Sequence, residues 1–367
     1  MIIKFDVESD LYQQIENLVK EGKYQDIIQF IKIAISNQLQ EEKSDEIIEY
    51  PINRLSTTLE RNQTTPENSL KELEEIKKSL ENFQFEKSEI NREYDDLIWN
   101  FYNRLFPVKI AIYQLAKMLT EKKWADLEEW KEISVKVAQN WYKILREYEL
   151  ENEIKMNERL TIGLPTHEFE LKKLKKKNEI IKMQKKIESS KNRFMNQFVG
   201  RYNKKTETFE GACFSMGFIS GKLIGVNCFV SLTELGKQFA LLENPIITNK
   251  KFNQVFSNDE VKLIYNKIIP QFKTESQIIK EVINGLKKKT MTSDEIQEIF
   301  TEYKKLILGY YSYEPEKLDI DKKKDKIIQA RVATMGRLSE LKIVDWQVIS
   351  SVSHYSLNQE KAKLLSL

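Results

Sequence analysis

Two histidines (His167, His354) and two cysteines (Cys213, Cys228) are all that 367 residues offer of the side chains that most readily hold metals or move protons near neutral pH. The histidines lie far apart in sequence, and both cysteines stand in apolar settings, Ala-Cys-Phe and Asn-Cys-Phe, which suit core thiols better than nucleophiles. Glu170-Leu171-Lys172 is an E-x-K triplet of the kind nucleases place on a strand beside a metal. Such a site also needs an upstream aspartate on a paired strand, and the residues before this triplet read as helix. The chain has no G-x-x-x-x-G-K-[ST] loop, G-x-S-x-G elbow, H-E-x-x-H or C-x-x-C. The expectation is a non-enzyme with no cofactor and no metal.

Charge is where the chemistry concentrates. The formal net charge is +3, yet residues 171–205 hold 13 basic and 2 acidic side chains. Lys172, Lys173, Lys175, Lys176, Lys177, Lys185, Lys186 and Arg193 fall on a lysine-rich helix whose sparse apolar stripe is Leu171, Leu174, Ile181, Ile187 and Phe194. Solvated helix faces ordinarily mix signs, and this one does not. A duplex nucleic-acid backbone is the natural partner for such a surface. An acidic protein surface, including the chain's own acidic N-terminal half, is the rival partner.

Elements must position these charges. With 11 glycines and 7 prolines the chain is too poor in turn-formers for a sandwich, barrel or propeller, so a mainly α fold built of long helices is expected. Alternation of Ile3, Phe5 and Val7 with Ile2, Lys4 and Asp6 predicts a strand. Ser9 and Asp10 then cap a helix that stops at Gly22, and a second helix follows from about Gln25 to Gln40. Tyr24, Phe30, Ile31, Lys32, Ala34 and Ile35 fall in register with the second helix of ribbon-helix-helix proteins, which residues 1–42 resemble. The resemblance implies a homodimer through residues 1–40, with Lys4 on the outward face of the ribbon; whether the module also reads DNA or only dimerises stays open.

Residues 43–66 read as a linker and 67–165 as a helical bundle, with Leu70, Leu73, Leu80 and Phe83 near heptad spacing and a helix broken at Pro107. Trp124, Leu127, Trp130, Ile133, Val137, Trp141, Ile144 and Leu145 form a stripe that suits a bundle core. Six glycines fall between Gly200 and Gly236. Within 166–250, a helical Phe209–Ile219, two strands (Lys222–Val226 and Asn227–Leu232) and Leu232-Thr233-Glu234-Leu235-Gly236 resemble a winged-helix unit, its wing carrying Lys222. Residues 251–367 resemble a second such unit. A helix spans Ser276–Lys287, Thr292 caps the next, and Lys322–Lys342 is a long third helix before a short wing. On that third helix Ile328, Val332, Met335 and Leu338 are expected inside, leaving Lys326, Arg331, Thr334 and Arg337 to meet the major groove.

The leading expectation is a non-enzymatic, cytoplasmic, dimeric protein that binds duplex DNA, in transcription, DNA maintenance or defence. The alternative is a scaffold subunit that docks protein partners through its ends and its lysine helix. No membrane partner is expected, since no apolar run is long enough to span one and no secretory leader opens the chain.

Overall fold

A helix whose residues from Phe106 to Ala116 are all buried stands at the centre of the fold. Pro107, read above as a break, instead starts that helix, because the N–H a proline lacks has no intrahelical partner in the first turn. The computed structural model describes residues 66–85, 97–99, 101–310 and 324–367, with Asn17 and Ile27 besides. The expected ribbon-helix-helix module, those two residues apart, lies outside the described residues, Lys4 included.

Residues Pro66–Leu367 form one compact unit. It begins with α1 (Pro66–Ser79), α2 (Phe106–Met118), β1 (Ala125–Asp126), α3 (Leu127–Glu151) and α4 (Lys177–Arg193). A small hairpin, β2 (Arg201–Asn203) and β3 (Thr208–Glu210), precedes α5 (Ala212–Ser215), β4 (Ile219–Ile224), β5 (Asn227–Leu232) and α6 (Glu234–Leu241). Then come α7 (Asn258–Leu263), α8 (Lys273–Lys288), β6 (Met291–Thr292), α9 (Ser293–Glu302) and α10 (Lys304–Tyr310). The chain closes with α11 (Lys324–Glu340), β7 (Val344–Ile349), β8 (Val352–Leu357) and α12 (Gln359–Leu365). The described chain is mainly helical, with small antiparallel sheets.

Two of those sheets are copies of one another. Their strand orders are β1-β5-β4 and β6-β8-β7. Ile219 faces Leu232 across one hairpin and Val344 faces Leu357 across the other, a constant offset of 125 residues. The third strand adds at the same place in each, Ala125 facing Val230 and Met291 facing Tyr355, so its partner positions keep the offset although β1 and β6 themselves lie further apart in the chain. The offset holds again at the next helix, which Thr233 caps through the Gly236 N–H and Asn358 through the Lys361 N–H. Only Ile224/Ile349, Ser231/Ser356 and Leu232/Leu357 are identical between the two hairpins. Register has been kept while side chains changed. Even the two-residue loops differ in chemistry: Gly225 alone takes a positive φ (+62°) in the first, whereas Ser350 (+48°) and Ser351 (+67°) both do in the second.

Burial follows from these pairings. Asp126 caps α3 by accepting from the Glu128 and Glu129 N–H groups, and Trp130, fully buried, donates its indole N–H to the Ala111 carbonyl at 2.9 Å. Trp141 and Leu145 continue that buried face, whereas Ile144, expected in the same stripe, is 43% exposed. Since β1 lies between α2 and α3 yet pairs with β5, the expected bundle (67–165) and the unit after it share a sheet. The stretch expected as one helix from Phe209 to Ile219 is instead β3, a single turn of α5 and the start of β4. Among the described residues no helix is long and apolar enough to cross a membrane.

Candidate nucleic-acid interface

The lysine run is split by the local backbone. Lys172 and Lys173 end a short 3-10 stretch, Lys175 and Lys176 bridge to the next element, and Lys177 opens α4. Only Ile187 and Ser190 of α4 are buried, with Ile180 and Met183 half-buried on the same side. Ile181, expected in the apolar stripe, is 40% exposed, so the buried strip runs one position earlier. Lys191 and Arg193 close the last turn, where the helix dipole favours cations.

Lys173 pairs with Glu170 at 3.3 Å and lies over the Phe169 ring, and Lys176 lies 3.6 Å from Glu179. The side chains of Lys172, Lys175, Lys177, Lys182, Lys185, Lys186 and Arg193 are exposed and make no ion pair or hydrogen bond among the described residues. Lys182, Lys186 and Arg193 follow an i, i+4, i+11 spacing, so they lie within about 40° of one another and span about 16 Å of α4. Lys182 joins this row beside the expected Lys186 and Arg193. The E-x-K carboxylate Glu170 is spent on Arg146 and Lys173, on a 3-10 turn and not a strand. Among the described residues no group of three or more histidine, cysteine or acidic side chains is placed to hold a metal ion.

Beyond α4, a basic finger interrupts the chain before α5. Gly200 (φ +141°) and Gly211 (φ +123°) meet at its base, where a Cβ on Gly211 would come within 2.5 Å of the Gly200 Cα. Only glycine fits such a junction. Phe209, 3% exposed, stacks on Phe214 with centroids 4.8 Å apart and covers Gly221 of β4. Arg201 donates to Glu210 at 2.7 Å across the strands. Lys204 and Lys205 at the tip are exposed and unpaired among the described residues. Lys222, on β4, is half-buried with its Nζ 4.1 Å from the Trp124 ring centroid.

The second unit overturns the expected reading face of α11. Thr334 and Arg337 are 1% and 3% exposed. Arg337 donates to Glu275 at 2.6 Å and to the Tyr102 carbonyl at 2.9 Å, while Thr334 donates to the same Glu275 oxygen at 2.8 Å. Those two groups are structural, because a buried carboxylate on α8 requires them. Arg331 is half-buried and donates to Gln297 at 2.8 Å, and Lys326 is half-buried and engaged. Ile328 and Val332, expected inside, are instead 42% and 44% exposed, while Met335 and Leu338 are buried as expected. Arg337→Ala should therefore lower the urea stability of the chain by about 3–5 kcal/mol, since Glu275 would stay buried without its cation. An Arg337→Ala protein as stable as the parent would return Arg337 to the candidate readers.

Comparison with protein families, with curated proteins and with solved structures brings no match.

Proposed function

We propose that this chain is a non-enzymatic protein that binds duplex DNA as a dimer, in regulation, DNA maintenance or defence. The observation that carries the reading is the row of exposed, unpaired cations on α4, aligned on a rigid helix beside neighbours of the same sign. Cations so placed release counterions from a phosphate backbone and carry no base specificity of their own. Lys204 and Lys205 on the finger extend the basic surface. In this reading the two repeated units are winged-helix-like, since a helix, short strand, helix and hairpin recur in that order. Dimerisation is assigned to residues 1–40, and the cytoplasm is the proposed compartment.

A second reading has its own support. The exposed face of α11 and the β7–β8 hairpin carry Ile328, Val332, Val348, Ile349 and Val352 in place of cations. That surface suits a protein partner better than phosphates, and on the scaffold alternative it would be a docking end. Binding of full-length protein to mixed duplexes over a salt series tests the leading reading. Affinity should fall steeply and linearly in log–log form, equally for all sequences at the α4 contacts, and light scattering should give a dimer at micromolar concentration. Absence of duplex binding at 50 mM salt, on the order of the low-salt limit at which phosphate contacts are strongest, would leave the scaffold reading.

A further inference from the structure

Away from α4, a cleft opens where the C-terminal end of α11 meets the residues just before α2. Arg104, Arg159 and Lys342 bring three cations to it, and Tyr148 and Phe252 supply an aromatic wall, their ring centroids 5.2 Å apart at 69°. We propose that this cleft binds a small molecule bearing a phosphate or carboxylate group.

Some of the charges lining the cleft are already used. Glu340 accepts from the Leu105 N–H at 2.6 Å and the Phe106 N–H at 3.2 Å, so its carboxylate is committed to the first turn of α2. Burial pushes that carboxyl up to about 7, against the pull of Arg104 and Arg337, so near neutral pH its charge is partly lost. Arg104 spends one N–H on the Asn103 carbonyl. Arg159, by contrast, has a buried Nε with no hydrogen-bond partner and makes no ion pair among the described residues. Lys342, held at φ +56° just past α11, is exposed and unpaired there as well. Glu158 lies at the rim and is the one acid in the lining not spent on a backbone cap. A buried guanidinium N–H without an acceptor is costly, and an oxyanion meets a guanidinium's planar fork through two parallel bonds. The aromatic wall suits the body of a small ligand.

The proposal is independent of the DNA reading. Its test is calorimetric titration of the full-length protein at fixed ionic strength with inorganic phosphate, citrate and adenosine monophosphate as separate probes. At least one should bind once per chain. Phosphate or the nucleotide alone would mark a phosphate site, and citrate alone a carboxylate site. Arg159→Gln should weaken that probe at least ten-fold, and so should Lys342→Gln, which alters an exposed side chain and leaves the fold intact. The triple substitution of Lys182, Lys185 and Lys186 to Gln should bind the probe as the parent does. Silence from all three probes overturns the proposal, as does equal binding by the Arg159 and Lys342 variants, or loss of binding in the α4 triple variant.

Discussion

Glu260→Ala is expected to be among the most damaging single substitutions in the chain, at about 3–5 kcal/mol, because it leaves a buried ammonium without its counterion. Lys109 on α2 and Glu260 on α7 are 1% and 0% exposed, with Nζ 2.9 Å from the carboxylate. The three N–H groups of the ammonium find Glu260, the Phe239 carbonyl at 2.5 Å and the Leu242 carbonyl at 2.9 Å. The carboxylate also accepts from the Ser257 N–H at 2.8 Å and from the Asn244 amide at 3.0 Å, and Asn244 in turn holds the Ile246 and Ile247 N–H groups. One network thus ties the central helix to the end of α6 and to the capping box that begins α7. Burial pushes Lys109 down and Glu260 up, and each charge is sustained by the other. Replacing both with methionine should cost less than the sum of the single changes, since no charge is then stranded. All five tryptophans lie within Pro66–Leu367, so fluorescence-monitored urea unfolding reports on this unit. A Glu260→Ala midpoint equal to the parent's would mean the pair contributes nothing net.

How far the sequence reveals such features depends on whether their cause is local. Thr292 and Glu295 form a capping box three residues apart, and the expected helix start is found there. Both hairpins fall where a wing was expected, but the first strand runs Ile219–Ile224 and not Lys222–Val226, because its start is set by pairing with Leu232. By contrast, β1 and β6 are two residues long and carry no period, so only their partner strands define them. The face of α11 failed for a different reason. Ile328, Val332 and Met335 form one helical stripe, of which only Met335 is buried, and Ile327, Ala330, Thr334, Leu338 and Leu341 form another. Periodicity cannot choose between them. Glu275, 62 residues before Arg337, chooses, because its buried carboxylate needs that arginine. The site was legible as charge but not as geometry: composition found residues 171–205, whereas the pairing of Lys173 and Lys176 and the finger bracketed by Gly200 and Gly211 depend on contacts that composition does not contain.

Substituting Lys182, Lys185 and Lys186 by glutamine should weaken duplex binding roughly 100- to 1,000-fold at 0.1 M salt, and equally on every sequence. Each phosphate contact contributes about 0.9 to the log–log salt slope, so three lost contacts lower it by about 3. Over the decade of salt up to about 1 M, where counterion release no longer favours binding, that slope amounts to the stated loss. The five-fold substitution of Lys172, Lys173, Lys175, Lys176 and Lys177 removes more charge, yet two of its members already face Glu170 and Glu179. Its slope should therefore also fall by about 3, and not by the 4.5 or so that five free cations would give. The comparison separates phosphate contacts by the free cations of α4 from bulk positive charge, which would rank the five-fold variant well below the triple. Salt-series titrations of both proteins on one random duplex decide it. If both variants bound with the parent's slope, the cations on α4 would have to face an acidic protein surface, and the apolar face of α11 with its hairpin would become the more informative end of the molecule.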